Sequence, residues 1–395
     1  MPRLSGRRLW FAGIGGAGLS GYAQLARAWG AEVSGWDRSE TPYLEAVRAA
    51  GIPVDVEHDP HPPADVEVVV SSAFAELVGG RSRAELLAEL VSLQRSIVVA
   101  GAHGKTTTAA MIAFCLDRLG ADPAFLIGAE IPQLGGNARA GEGWLVVEGD
   151  ESDGTVAELR PEIGVVTNLD LDHHVRFGAR AEVERLFEEW LAQVPHVVRG
   201  DRLEPVDLPL ALPGEHNRRN AACALAALRL AGVTFEQAAP VLREFRGAAR
   251  RFEARGEAGG VTVVDDYGHH PTEVAATIAA ARERAERRVL VLFQPHLPSR
   301  TRHLAGEFGR ALTGADAAAV TEIYLAREAP LEGVSGKLIV EAATEARPGM
   351  PIAWTPSVED GARVVAGWAR PGDLVLTMGA GDVDRAPSLV LELLR

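Results

Sequence analysis

Residues 100–108 read Ala-Gly-Ala-His-Gly-Lys-Thr-Thr-Thr, bringing two glycines, one lysine and three hydroxyls into a single short run. The apolar stretch Ser96–Ala100 leads in, and an alanine- and leucine-rich helical pattern over 109–119 leads out. A glycine loop between a strand and a helix turns its N–H groups inward at the positive end of the helix dipole, which suits a phosphate. Lys105 then reaches the outer phosphates of a nucleotide, and Thr106 can hold Mg²⁺. The loop is shorter than the usual Walker spacing, so a plain glycine-rich turn ahead of a helix stays as the alternative.

Two more strand ends carry acids. The apolar run 144–147 leads into Glu148-Gly-Asp150-Glu151-Ser-Asp153. A carboxylate after the strand that follows such a loop is where an NTPase places its metal ligand. Four acids this close repel one another unless a cation or hydrogen bonds intervene; a solvated acidic loop is the alternative. The run 163–166 leads into Thr167-Asn168-Leu-Asp170-Leu-Asp172-His173-His174, a donor set of the kind that ligates metals.

Near the N-terminus, Gly13-Ile-Gly15-Gly16-Ala-Gly18 follows a strand pattern over 9–14 and opens a helix over 19–29. A second strand, 32–35, ends at Asp37, about 20 residues on, as in a dinucleotide fingerprint. Alone, this motif suggests NAD. A third strand, 66–70, ends in Ser71-Ser72, where a phosphate can approach the backbone. In the alternative reading the glycines only pack helix on strand.

Further along, Pro213-Gly214-Glu-His216-Asn217-Arg-Arg-Asn220 precedes a helical pattern over 221–230. His216 and Asn217 suit a base, or Asn217 simply caps that helix. Arg250-Arg251 offers a guanidinium pair for phosphate. Strand 261–264 ends in Asp265-Asp266-Tyr267-Gly268-His269-His270, and strand 289–293 in Gln294-Pro-His296-Leu297-Pro-Ser-Arg300-Thr-Arg302. Strands 317–321 and 374–377 end in Glu322-Ile-Tyr324 and Gly379-Ala-Gly-Asp382.

The elements that position these groups alternate strand and helix, which is the pattern of parallel α/β sheets with ligands at the carboxyl edge. At 395 residues the chain exceeds one core, so two or three domains are expected. A net charge of −14 argues against non-specific binding to nucleic acid or an anionic membrane. Lys105 and Lys337 are the only lysines, which sets the loop lysine apart. The two cysteines, Cys115 and Cys223, read as small core residues in a reducing compartment. No 18-residue apolar span occurs, and the cytoplasm is the expected location.

In order, the runs GIGGAGLSG, SSA, GAHGKTTT, EGDESD, TNLDLDH, PGEHNRRNAACAL, GAARRFE, VDDYGHHPTEV, FQPHLPSRTR, TEIYLAREAP and TMGAGDV resemble a Mur ligase across nearly the whole chain. The resemblance implies three α/β domains: an N-terminal Rossmann-like domain over 1–95, a central P-loop ATPase-like domain over 96–246 and a C-terminal Rossmann-like domain over 247–395. It also implies an ATP-dependent ligase of cell-wall precursor synthesis. The γ-phosphate of ATP moves to the lactoyl carboxylate of UDP-N-acetylmuramate, and the amine of L-alanine attacks the acyl phosphate. By the same resemblance, Gly101, His103, Gly104, Lys105 and Thr107 hold phosphates. Thr106 and Glu148 bind one Mg²⁺, His173 helps bind a second, and Mn²⁺ can substitute. His216, Asn217 and Asn220 hold adenine, while Arg251 and Asp265 reach the phosphates and ribose. Tyr267, His269, His296 and Arg300 line the amino-acid side, and Gly15, Gly16, Gly18, Asp37, Ser71 and Ser72 the UDP site. The implied partners are UDP-N-acetylmuramate and L-alanine, with no nucleic acid and no membrane, for a monomer or weak homodimer.

The chain departs from the family in three places. Leu297-Pro298 stands where relatives have Arg-Tyr, His174-Val175 where they have Met-Asp, and the segment between His174 and Pro213 is short. Other readings therefore stay open: a ligase that recycles a whole peptide onto UDP-N-acetylmuramate, an NAD-dependent oxidoreductase, and a non-catalytic nucleotide-binding regulator.

Overall fold

The computed structural model describes residues 3–150, 154–170, 179–326 and 328–395. His173, expected at the second metal, lies outside the described residues. Among those residues the strands form three sheets. The first holds β1 (Arg8–Ala12), β2 (Glu32–Asp37), β3 (Val54–Val56), β4 (Glu67–Val70) and β5 (Arg81–Ser82) in the order β3-β2-β1-β4-β5, all parallel. The second holds β6 (Ser96–Ala100), β7 (Ala124–Ile131), β8 (Gly136–Arg139), β9 (Leu145–Glu148), β10 (Ile163–Val166) and β11 (His196–Arg199). Its order is β11-β10-β6-β9-β7-β8, with only the β7–β8 pair antiparallel. The third holds β12 (Glu253–Ala258), β13 (Val261–Asp266), β14 (Val289–Phe293), β15 (Ala317–Val320), β16 (Ile352–Trp354) and β17 (Leu374–Met378). Its order is β12-β13-β17-β14-β15-β16, antiparallel only at β12–β13.

The α/β class expected from the sequence is the class observed. Strands β6, β10, β14 and β17 are buried along their whole length, which is why they read as near-unbroken apolar runs. Parallel neighbours need crossover connections, and helices supply most of them. The helix Lys105–Arg118 is buried from Thr106 through Leu116, so it is apolar on nearly every side. It starts four residues before the apolar pattern did, because its first turn is the buried threonine run. The helix Glu215–Leu230 likewise starts ahead of residue 221, on a polar turn. Asn217 therefore lies inside that first turn rather than capping it, and its Nδ2 donates to Pro213 O at 2.7 Å.

The described chain divides into two compact units. One comprises 1–170, 179–208 and 219–245 and holds the first two sheets; the other includes 209–218 and 246–395 and holds the third. Within the first unit the helix Ala17–Ala28 packs on β7 and β8. A Cβ at Gly21 would stand 3.1 Å from Ala138 Cβ, so the helix and β8 approach closely there. Cys115 and Cys223 are free and buried, and burial pushes both thiols up to about 12, as suits inert core residues.

The third sheet is covered on both faces. Val289, Val291 and Phe293 face one core, and Leu290 and Leu292 the other. Phe293 is fully buried against Phe308, with ring centroids 5.1 Å apart. Phe293→Ala is expected to cost ~3–5 kcal/mol, the scale of a large aromatic cavity. Urea unfolding checks this as a lower midpoint; an unchanged midpoint would contradict the packing described.

Candidate functional site

The centre of the first unit is the loop after β6. Gly101 (φ +121°) and Gly104 (φ +79°) both take the left-handed region. A Cβ at Gly101 would collide with Thr167 Oγ1, and one at Gly104 with Asn220 Oδ1. Only glycine fits either place. The loop is stapled to the end of β10: Asn168 Oδ1 accepts His103 N–H (3.0 Å), Asn168 Nδ2 donates to His103 O (2.8 Å), and Thr167 Oγ1 donates to His103 O (2.7 Å). His103 Nε2 lies 3.3 Å from Asp170 Oδ2. Lys105 Nζ donates to Gly101 O (2.7 Å) and Ala102 O (3.3 Å), which holds the ammonium at the mouth of the loop. Thr106 and Thr107 are buried in the first helical turn.

Strand register brings Glu148 beside this loop, because Glu148 on β9 pairs with Val99 on β6. Its Oε2 accepts the Gly128 N–H at 2.5 Å, and a side chain at Gly128 would strike that carboxylate. A lysine, buried hydroxyls and a braced carboxylate thus gather at the adjoining ends of the parallel strands β6 and β9, where α/β proteins bind ligands.

The first sheet has its own cleft of about 320 Å³. Gly13, Gly15, Gly16, Gly18, Asp37, Ser71, Ser72 and Arg83 line it. A Cβ at Gly13 would stand 2.6 Å from Ser71 Oγ. Ser71 Oγ is buried with no hydrogen-bond partner among the described residues, as befits a donor kept for a ligand. Asp37 accepts Gly15 N–H (2.8 Å) through one oxygen and Arg38 N–H (2.8 Å) through the other, so its carboxylate braces the glycine loop.

In the second unit, Asp265 is 0% exposed; it accepts from Arg250 Nε (2.9 Å) and Thr377 Oγ1 (2.8 Å). What that carboxylate holds out is Arg250, whose Nη2 also donates to Gly379 O (2.7 Å). Asp266 accepts Phe252 N–H and Gly268 N–H, each at 2.8 Å. Burial pushes both carboxyl groups above the usual carboxylate range, against the pull of the neighbouring guanidinium groups of Arg250 and Arg251. Arg251 lies over the Tyr267 ring at 5.1 Å. The rings of Tyr267, His269 and His296 follow edge to face, at 5.3 and 5.7 Å. Arg300 is 5% exposed, with Nη1 3.3 Å from His296 Nδ1. His216 packs beside Gly214 and is pushed down to about 4 by burial, so the imidazole is neutral at pH 7.

Several residues in these sites were not singled out by the sequence. Arg83 lines the first cleft and donates to Asp150 Oδ2 at 2.8 Å, and Gly128 seats Glu148. Arg83 follows Ser82, which forms a capping box with Glu85; that box is a legible helix start, but nothing local marks the arginine as facing a ligand.

Family models match three stretches in order: the Mur ligase family catalytic domain over 8–95, the Mur ligase middle domain over 99–198 and the Mur ligase glutamate ligase domain over 250–381. The UDP-N-acetylmuramate–L-alanine ligase of Streptomyces coelicolor is 39% identical, over 97% of this chain and 97% of that protein. The crystal structure of the UDP-N-acetylmuramate-alanine ligase MurC of Thermotoga maritima matches with a TM-score of 0.80 at 26% identity, covering 98% of both chains. The MurF ligase of T. maritima, solved in complex with ADP, shares the fold at a TM-score of 0.63 and 17% identity, over 100% of this chain and 99% of that one.

Two outcomes follow from the geometry. Gly104→Ala forces a left-handed alanine into Asn220, and ATP affinity measured by calorimetry is expected to fall about tenfold or more, given ~1–2 kcal/mol for the backbone alone. Unchanged affinity would mean that the loop tolerates a side chain. For His216 the folded value of about 4 lies below the ordinary 6.5, so its stabilising contribution is complete above pH 6.5. That contribution is lost as pH falls from 6.5 to about 4. His216→Asn should flatten stability against pH in that window, as read by denaturant titration at several pH values.

Proposed function

This chain belongs to the Mur ligase family, and on that premise we propose that it joins L-alanine to the lactoyl carboxylate of UDP-N-acetylmuramate, driven by ATP, in peptidoglycan precursor synthesis. The observation that carries this reading is the Lys105 loop, stapled between the ends of β9 and β10, in a chain that aligns over 97% of its length with an L-alanine ligase.

The loop fits a nucleotide with a divalent cation. Its two glycines leave no room for a Cβ, Lys105 sits at its mouth, and the Thr106 hydroxyl and Glu148 carboxylate are the hard oxygen donors that Mg²⁺ prefers. When bound, the cation neutralises charge on the phosphoryl group in transfer. Thr106 and Glu148 would hold that ion, and His173 a second. Lys105 and the loop amides hold the phosphates in line with the acceptor carboxylate; phosphoryl transfer asks the protein for positioning and charge more than for covalent help.

The glycine-lined cleft takes the UDP moiety. Its N–H groups, Ser71 Oγ and the Arg83 guanidinium suit a diphosphate. In the C-terminal unit, Arg251 and Arg250 serve the nucleotide, Asp265 acting through Arg250. His216, Asn217 and Asn220 serve the adenine, where a neutral imidazole stacks without a charge to desolvate. Arg300, beside His296, pairs with the L-alanine carboxylate, taking up the task of the arginine that Leu297 replaces. His269, with Nδ1 3.1 Å from Tyr267 O and 3.5 Å from a Glu273 carboxylate oxygen, is the imidazole we assign to receive the amine proton as the amide forms.

The test is product formation from UDP-N-acetylmuramate, ATP, Mg²⁺ and single amino acids, with a tripeptide as competitor. Amide product, ADP and phosphate with L-alanine support the reading. Preference for the peptide over every free amino acid would put peptide recycling in its place. Lys105→Ala is expected to lower turnover by about 10²-fold or more, the scale of losing one charge-stabilising donor. Its affinity for UDP-N-acetylmuramate should persist, since that ligand occupies another cleft. Normal turnover in this variant would remove the loop from the reaction.

A further inference from the structure

The helix that carries Arg300, Pro298–Leu312, opens on Leu297, whose side chain cannot cap it and whose φ is +69°. Left-handed backbone is costly for a branched apolar residue, so the surrounding fold must hold it there. Pro298 has no N–H, which makes Ser299 the first donor of the helix in need of a partner. That partner comes from 29 residues away in sequence. Glu328 Oε2 accepts the Ser299 N–H (2.9 Å), and Glu328 Oε1 accepts the Ser299 hydroxyl (2.6 Å). A carboxylate is also well placed at the positive end of a helix.

The same turn is gripped a second time by Tyr324. Tyr324 N–H donates to Pro295 O (2.9 Å), Leu297 N–H donates to Tyr324 O (3.0 Å), and the Tyr324 ring stacks on His296 at 5.9 Å and 16°. Gly381 makes room for this, since a Cβ there would strike both the Tyr324 ring and Gln294 Oε1. A local cap at position 297 would stabilise the helix alone. A cap delivered by Glu328 ties the helix to the turn bearing Tyr324, and so fixes His296 and Arg300 together.

We propose that Glu328 is a positioning residue for the amine substrate: its latch on Ser299 sets where Arg300 and His296 meet the amino-acid carboxylate. This inference rests on the ligase reading above. It assigns to Glu328 no contact with substrate; it acts through the first turn of the Arg300 helix.

The experiment runs wild type first, then Glu328→Ala and Glu328→Gln, with steady-state kinetics in all three substrates and backbone hydrogen exchange. In Glu328→Ala the KM for L-alanine is expected to rise about tenfold, the scale of losing a charge-assisted hydrogen bond. The values of kcat and of KM for ATP and the UDP-sugar should stay within about twofold. Glu328→Gln should recover most of the loss, because its amide oxygen still accepts the Ser299 N–H. Exchange should quicken at residues 299–303 and 323–326 in the alanine variant only. An unchanged KM for L-alanine, a joint rise in all three KM values, or a glutamine variant no better than alanine would each overturn the latch. If wild type forms no product, the ligase reading fails, and the latch is judged on exchange alone: unchanged protection overturns it. Should Glu328→Ala fail to fold, Ser299→Ala removes only the hydroxyl partner and should raise the KM for L-alanine in the same direction by about two- to threefold.

Discussion

At three loops among the described residues, each at a site proposed above, a side chain from a neighbouring element holds the backbone of the loop in place. Asp37 at the end of β2 holds Gly15 after β1, Asn168 after β10 holds His103 after β6, and Asp266 at the end of β13 holds Phe252 ahead of β12. Glu148 works in the opposite sense, being held by the Gly128 amide of β7. The constraint behind this is that a glycine loop aimed at an anion leaves its own N–H groups without helical or ladder partners. It keeps its shape only if adjoining strands supply the bonds. Parallel order does so, since it brings successive strand ends to one edge.

This bracing explains why functional residues and bracing residues are hard to separate. Asp37 sits where a fingerprint acid would meet a ribose, yet both of its oxygens accept backbone N–H groups of its own domain. Asp265 sits at a strand end of the proposed nucleotide site, yet it is wholly enclosed and holds Arg250. Enclosing a carboxylate is expensive unless it is paired and hydrogen-bonded. Here each of the two adjacent acids has such partners: Arg250 and Thr377 for Asp265, backbone amides and Thr277 for Asp266. The left-handed residues Arg250 (φ +57°) and Phe252 (φ +52°) are the strain this arrangement sustains, and the bonds to Asp265 and Asp266 are what sustain it.

The reading of strands from apolar runs was accurate where strands are buried on both faces. Residues 96–100, 163–166 and 289–293 run together with β6, β10 and β14. Periodicity failed at helix starts, because the first turns of Lys105–Arg118 and Glu215–Leu230 carry polar residues instead of an apolar pattern. It also passed over short edge strands such as β3 and β5, whose few residues carry no pattern long enough to read.

Residue type and spacing along the chain were enough to mark the glycine loops, the Lys105–Thr106 pair and the acidic strand ends, because the conformational freedom of glycine and the reach of a lysine are local properties. The order of those motifs over the whole chain was enough to indicate the family, as the matched models then bore out. What the linear order could not hold is which side chain spends its hydrogen bonds on a neighbour. Arg83 on Asp150, Asn220 against Gly104, Gly128 beneath Glu148 and Glu328 on Ser299 join residues far apart in sequence. Those pairings exist only once parallel strands have set their register, since a contact of a few ångströms between distant residues is decided by packing and not by the residues themselves.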